Sequence, residues 1–411
     1  MNLPTHVKQT LKTLEAGGHS AYLVGGCVRD MVMGQVPKDW DVTTDALPET
    51  VQALFPQTIP TGLSHGTVTV ITGPQEQVEV TTLRRDGQYK DHRRPQSVTY
   101  VSDIAEDLAR RDFTMNAMAL TLEGTLLDPF GGREDIRKKR IRAVGEPEAR
   151  FEEDALRMFR ALRFSAVLGF AIHPKTAAAI REKSHLAQDL SAERLRDELE
   201  KILLSTRPQI LAEVLESGLI AAYLSGPLTP AGRKILRRMG RWRTPAKRTQ
   251  RWTLFSAVLL QIGAITSPAD FLRTLRLDNR IIKIAAPAAK LAQGSLPKDT
   301  VALKRLLARY GVDVMVSAVG AAVLLDKKQK RAAWNVRRIL SRGDCFSLNQ
   351  LAIDGKDLLA LGAEPGAQVG KLLHQLLDHV INQPEDNERE TLLSRAHSLL
   401  TASEVPPEAD K

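Results

Sequence analysis

The stretch KDWDVTT, residues 38–44, decides how the rest of the chain is read. Its composition suits a strand, and Asp39 and Asp41 flank Trp40 within it. Successive strand side chains point to opposite faces, so both carboxylates are predicted to project the same way. Like charges that close repel unless something positive lies between them. An isolated Asp-x-Asp is most often a solvated edge strand, so its surroundings matter. Upstream, LVGGCVRD (23–30) sets two glycines at a strand-to-helix turn, where backbone can approach a phosphate closely. Arg29 follows in the first helical turn, with a fork of donors for triphosphate oxygens. Paired carboxylates can bind Mg²⁺ ions that bridge to substrate phosphates. Two such metals stabilise the attacking and leaving oxygens of an in-line displacement. The combination points to nucleotidyl transfer, with Asp39 and Asp41 as metal ligands.

Composition frames that reading. The chain has 411 residues, 43% apolar and 26% charged, which is ordinary for a globular protein with a substantial core. Its formal net charge of +10 suits a polyanionic partner. The two cysteines, Cys27 and Cys345, stand far apart and in no metal-ligand spacing, as expected in a reducing compartment without disulfides or zinc. The N-terminus lacks a secretory pattern, and no apolar run approaches membrane-spanning length. The expectation is a cytoplasmic protein with no membrane partner.

Residues 1–145 alternate short strands and helices. SAYLVGG, WDVTT, HGTVTVITG and QVEVTTLR read as strands; LPETVQALF reads as a helix opened by Pro48, and DIAEDLARRDFTMNAMAL (103–120) as one continuous helix. From about residue 150 the pattern is helical nearly throughout, beginning with EARFEEDALRMFRALRFSAVLGF (148–170). The predicted fold class is α+β: a mixed-sheet head followed by an all-helical remainder.

In EEDALRMFRALRF, Ala155, Phe159, Leu162 and Ala166 form an apolar stripe at helical spacing. Asp154, Arg157, Arg160 and Arg163 step by three along the flank. By spacing alone this is a solvated face, with Asp154–Arg157 an i,i+3 pair worth about 0.3 kcal/mol. Arg110, Arg111 and Asp112 likewise read as a surface ion-pair cluster.

Five ordered motifs change those readings. LVGGCVRD, KDWDVTT, RRDFTMNAMAL, DPFGGREDI and RFEEDALRMFRALRF resemble, in this order, the class II tRNA nucleotidyltransferases. These are the CCA-adding enzymes, which share their core with bacterial poly(A) polymerases. The resemblance is dense over the first 165 residues and returns at LAIDGKDLLALGAEPGAQVGKLLHQLLDHV (351–380). It implies a polymerase-β-like nucleotidyltransferase head at 1–145, a nucleotide-selecting neck at 146–205, an RNA-binding body at 206–325 and a tRNA-binding tail at 326–411. It further implies that Asp39 and Asp41 bind the catalytic metals, and that Gly26, Arg29 and Arg111 contact the nucleotide. Asp154 and Arg157 would read its base, with Arg160 and Arg163 in support. Glu79 stays outside the metal set, because a half-exposed strand glutamate is as ordinary a reading.

The chemistry of that base reading is definite. Cytosine and adenine both offer an exocyclic amine beside an acceptor ring nitrogen; a carboxylate accepts from the first and a guanidinium donates to the second. Uracil and guanine reverse the pattern, leaving like groups face to face at roughly 1–3 kcal/mol each. One Asp/Arg pair can therefore take CTP and ATP without a template.

The polar stretch RRDGQYKDHRRPQSV (84–98) matches a loop that the resemblance associates with A addition. RKILRRMGRWRTPAKRTQRW (233–252) and KKQKRAAWNVRRIL (327–340) are basic stretches with interleaved tryptophans, suited to salt-sensitive binding of folded RNA. Trp242, Trp252 and Trp334 read equally well as core residues. Trp40 and Cys27 are departures from the family pattern, at no carried-over position.

The expected activity is Mg²⁺-dependent addition of C, C and A to the tRNA 3′ end. An A-adding relative, a poly(A) polymerase, or an RNA-binding protein with a vestigial head remain the alternatives. Oligomeric state is open, a homodimer included.

Overall fold

A computed structural model describes residues 3–74, 76–87, 97–226, 230–239 and 247–403. The chain forms two compact units, residues 1–223 and 224–411.

The first unit begins with α1 (Thr5–Ala16), β1 (Ala21–Val24), α2 (Gly26–Val32), β2 (Asp41–Thr44) and α3 (Pro48–Leu54). β3 (Thr58–Gly62), β4 (Thr67–Gly73) and β5 (Glu76–Thr82) follow, then the hairpin β6 (Arg84–Asp86) and β7 (Val98–Tyr100). After α4 (Ile104–Ala109) come β8 (Ala119–Leu120), β9 (Leu126–Leu127), α5 (Gly132–Arg137) and β10 (Arg140–Ile141). α6 (Pro147–Glu153), α7 (Leu156–Leu168), β11 (Ala171–Ile172), α8 (Pro174–Glu182), α9 (Ala192–Leu204) and α10 (Leu211–Glu216) complete the unit.

Seven strands form one mixed sheet in the order β3-β4-β5-β2-β1-β8-β9. β2 runs parallel to β5, and the remaining neighbours are antiparallel. The register sets Asp41 beside Glu79 and Val42 beside Val80. β2 is central, and Val42, Thr43 and Thr44 are all buried. The buried hydroxyls find carbonyls: Thr43 Oγ1 donates to Thr81 O at 2.9 Å and Thr82 Oγ1 to Ala46 O at 2.7 Å. α1 supplies Val7, Leu11 and Leu14 from one helical face.

Three local readings differ from expectation. Asp39 lies in a bend before β2, not within the strand. The helix expected over 103–120 ends at Ala109. Asp112 explains much of this: its Oδ1 accepts from its neighbour Phe113 N at 2.8 Å and from Asn116 Nδ2 at 3.0 Å, local bonds that compete with helix. The third is a break at Asp154, whose backbone (φ −142°, ψ 103°) separates α6 from α7. Its carboxylate accepts from Leu156 N at 3.1 Å, capping the second helix. Downstream, Ala155, Phe159, Leu162 and Ala166 are buried, as the stripe requires.

The second unit is helical: α11 (Pro230–Arg238), α12 (Arg248–Gln261), α13 (Pro268–Thr274), α14 (Asn279–Leu291), α15 (Thr300–Tyr310), α16 (Val312–Leu325), α17 (Lys330–Arg342), α18 (Gly355–Ala360), α19 (Ala367–Asn382) and α20 (Arg389–Ser403). Aspartates cap three of them: Asp278 accepts from Ile281 N at 2.9 Å, Asp299 from Val301 N at 2.9 Å, and Asp354 from Lys356 N at 2.8 Å. Trp252 is fully buried beside Phe255, whereas Trp334 is 58% exposed. Trp242 lies outside the described residues.

Two glycines test the packing. A Cβ on Gly132 would fall 2.2 Å from Thr114 O, a backbone atom that cannot move aside, whereas one on Gly370, within α19, meets nothing within 4 Å. Gly132→Ala is expected to lower the first unit's stability by about 1–3 kcal/mol or more. Gly370→Ala is expected to raise the second unit's by about 0.5–1 kcal/mol. Calorimetric melting of each variant checks both signs.

Candidate active site

β1 ends at Val24, and the turn into α2 passes through Gly25 at φ +75°. A Cβ there would lie 3.1 Å from Arg111 Nη1 and 3.5 Å from Asp41 Oδ2. Only glycine suits both the backbone and that crowding. The turn thus closes one wall of a cleft of about 340 Å³.

The cleft brings together Gly26, Arg29, Asp41 and Arg111 from the head with Asp154, Arg157 and Arg160 from the following helices. Two of the expected residues do not line it. Asp39 is exposed on its bend, and Arg163 sits behind the wall, bonding Glu198 Oε2 through Nε at 2.6 Å. Six arginines face three aspartates around the opening. Such an excess of forked cationic donors suits a polyanion with several phosphate oxygens.

Asp41 carries the electrostatic tension of the site. Burial raises its pKa above the ordinary carboxylate range; the charge of Glu79 adds to this, Arg111 opposes it, and Asp39 raises it further. Glu79, set beside Asp41 by strand register, is a stronger neighbour than its place in the sequence announced. A divalent cation would relieve this repulsion, and carboxylate oxygens are its natural ligands. Among the described residues no group of three or more His, Cys, Asp or Glu side chains forms a ready metal cage. The set fits a divalent ion whose remaining ligands come from substrate phosphates.

Phe164 organises the opposite wall. Its ring packs edge-on against Phe113 with centroids 5.8 Å apart. Arg163, Arg29 and Arg160 place their guanidinium carbons 3.9, 5.3 and 5.7 Å from its centroid. Arg29 also donates to Asp30 Oδ1 at 2.7 Å and to Asn116 Oδ1 at 3.0 Å. Arg160 Nε donates to Asp112 Oδ2 at 2.7 Å. Burial disfavours the charge on Asp112, but Arg160 and Asn116 more than offset it and hold its pKa below the usual range.

Asp154 and Arg157 are anchored from different directions. Arg157, 8% exposed, donates through Nη1 to Arg150 O at 3.1 Å and through Nη2 to Arg110 O at 2.9 Å, and also binds Glu153. Asp154 accepts from Arg194 Nη2 at 3.1 and 3.3 Å. Arg194, on α9, lines the cleft and escaped the sequence reading; it lies 40 residues from its partner, and only the fold joins them. Arg111 Nε and Arg194 Nη1 are buried without a hydrogen-bond partner among the described residues. Buried orphan donors are rare, and two at one cleft mark a place for an acceptor-rich ligand.

Asp41 yields a stability prediction. Its folded pKa lies above the unfolded value, so its ionisation destabilises the fold once pH rises through the ordinary carboxylate range. Asp41→Asn is expected to raise the melting temperature of the metal-free protein near neutral pH. The gain should fade below about pH 4, where the carboxyl is protonated in both states. Melting curves across pH check it.

Comparison with known proteins places the chain in a family. The model for the poly A polymerase head domain matches residues 21–142, and that for tRNA nucleotidyltransferase domain 2 matches 243–396. A CCA-adding enzyme of Geobacillus stearothermophilus is 39% identical over 388 residues, spanning 93% of this chain and 94% of its own. One from Leuconostoc citreum is 37% identical, spanning 95% of each. The crystal structure of the Bacillus stearothermophilus CCA-adding enzyme in complex with CTP superposes with a TM-score of 0.80 at 34% identity, covering 98% of this chain and 99% of that one. The Thermotoga maritima CCA-adding enzyme complexed with tRNA shares the fold, with a TM-score of 0.70 at 20% identity over 96% and 94% of the two chains. Sequence, fold and cleft converge: this chain belongs to the class II CCA-adding enzyme and poly(A) polymerase family of nucleotidyltransferases.

Proposed function

We infer that this nucleotidyltransferase adds C, C and A, without a template, to the 3′ end of tRNA from CTP and ATP, releasing pyrophosphate. One observation carries the reading: a single cleft joins Asp41, an arginine cluster fit for a triphosphate, and an Asp154/Arg157 pair whose donor and acceptor suit cytosine and adenine. The long, high-coverage match to CCA-adding enzymes, one of them solved with CTP, supports the substrate assignment.

In the reaction, the RNA 3′-oxygen attacks the α-phosphorus in line. The new P–O bond forms as the bridge to the β-phosphate breaks, and pyrophosphate leaves. Asp39 and Asp41 would hold Mg²⁺, which when bound neutralises triphosphate charge and favours the ionised hydroxyl. Arg29 and Arg111 orient the phosphates, and Gly25 and Gly26 leave them room. Asp154 accepts from the base amine and Arg157 donates to the ring nitrogen. Arg160, through Asp112, and Arg163, through Phe164 and Glu198, keep the α7 wall in place.

We assign catalysis to residues 1–145, nucleotide selection to 146–205, and RNA contact to 206–325 and 326–411. Trp334, exposed with Arg338 4.9 Å from its ring, supports an RNA-facing role for α17. The loop assigned to A addition falls partly on residues 88–96, outside those described. No described helix is long and apolar enough to cross a membrane. Both cysteines are free and buried, which supports a reducing, cytoplasmic setting.

Product analysis tests the assignment. With tRNA lacking its terminus, CTP alone should add two residues, and CTP with ATP should complete CCA. Extension only of tRNA ending in CC, or long A tails on unrelated RNA, would select the A-adding or polyadenylating reading. Excess chelator, or Asp41→Ala, should cut incorporation roughly a hundredfold or more, because several kcal/mol of charge stabilisation is lost. Asp41→Ala should still retain tRNA.

A second experiment addresses base choice. Asp154→Asn supplies an amide that can donate to the uracil carbonyl. Discrimination between CTP and UTP should fall by about tenfold or more, read as a ratio of kcat/KM values.

A further inference from the structure

Among the fully buried acids to which the mechanism above gives no task, Asp107 is the one tied to arginines that line the cleft. Asp107, near the end of α4, has 0% exposure. An unpaired carboxylate in that position would be costly. Burial works against its charge, but Arg111 and Arg110 outweigh it and hold its pKa below the usual range. Its Oδ1 accepts from Arg110 Nε and Nη2 at 2.9 and 2.7 Å, and its Oδ2 accepts from Arg111 Nη2 at 3.0 Å. One anion thus holds two guanidiniums from consecutive residues, just where the helix has ended. Both of those arginines line the cleft.

A second acid, the half-buried Asp86, backs this arrangement from the β6–β7 hairpin. Asp86 accepts from Arg84 Nε at 3.2 Å and lies 3.7 Å from Arg110 Nη1. Arg84 N in turn reaches Asp107 Oδ1 at 3.4 Å. The connected series runs from hairpin to Asp86, Arg110, Asp107 and Arg111. Neither acid lines the cleft itself.

We propose that Asp107 is a positioning residue for the nucleotide: it presets the guanidiniums of Arg110 and Arg111 for the triphosphate, with Asp86 steadying the pair from the hairpin. This rests on the reading that the cleft takes a nucleoside triphosphate. A free arginine side chain loses rotamer entropy when it is immobilised, and fixing it before the ligand arrives removes that loss from binding. Because the phosphates are common to all nucleotides, the effect is on affinity and not on base choice. A merely structural acid would change melting and leave nucleotide affinity alone.

The test is equilibrium titration of full-length protein with CTP and with ATP in the presence of Mg²⁺, alongside thermal melting. Asp107→Asn keeps the shape and removes the charge. The dissociation constants for CTP and ATP should rise together by about tenfold or more. In an Arg111→Met background the added effect of Asp107→Asn should shrink below about threefold, the non-additivity expected when one residue acts through another. A folded Asp107→Asn protein with unchanged affinity, or one whose full effect survives without Arg111, overturns the proposal. Should that variant not fold, Asp86→Asn decides: a rise of about two- to fivefold supports it, and unchanged affinity refutes it. Failure of the unaltered protein to bind either nucleotide would instead bring down the nucleotide reading itself, and the proposal with it.

Discussion

Asp41 is a carboxylate held partly out of water beside other carboxylates, and the head is arranged around that unfavourable fact. Its strand lies in the middle of the sheet, where parallel register with β5 brings Glu79 alongside. Arg111 offsets part of the repulsion. It can come close because the turn at Gly25 carries no side chain. The remaining imbalance is what a divalent ion and a triphosphate would cancel together. A site that is uneasy when empty gains the most from its ligands, which is the usual compromise between stability and activity.

Around this centre the cleft is built from ion pairs that prearrange donors. Arg160 is held by Asp112, Arg163 by Glu198, and Asp154 by Arg194. Each pair fixes a long side chain that would otherwise lose entropy on binding. Arg157 is tied to two carbonyls, so its plane is fixed by the protein itself. Preorganisation of this kind is what template-free selection demands, because no complementary strand corrects a misplaced base.

Much of this was legible in the chain. The alternation of Val-rich strands marked the sheet, and of the Gly-Gly turn and the Asp-x-Asp stretch, Gly25, Gly26 and Asp41 line the cleft while Asp39 does not. Of the run from Asp154 to Arg163, which helical spacing alone reads as a solvated face, Asp154, Arg157 and Arg160 line the cleft and Arg163 does not. Three features were less accessible, each for a physical reason. The helix expected through 103–120 fails because Asp112 accepts from the Phe113 backbone N–H and from Asn116, a local competition that apolar periodicity does not register. Asp154 was read as a helix-face residue but serves as a cap, and that break turns it toward Arg194. Arg194 and Asp107 drew no notice, since charged residues in helical stretches read as solvated surface until the fold shows what they face. Trp252 and Trp334 differ in the same way: similar basic contexts, one side chain in the core and one in solvent.

The account depends most on Asp39 and Asp41 gripping a cation together, although they occupy a bend and a strand. Anomalous diffraction from a crystal of the protein with CTP and Mn²⁺ in place of Mg²⁺ measures this directly. A peak within ligand distance of a carboxylate oxygen from each aspartate and of the triphosphate is the expected result. A bound nucleotide with no such peak, or with the metal held away from Asp41, would contradict it.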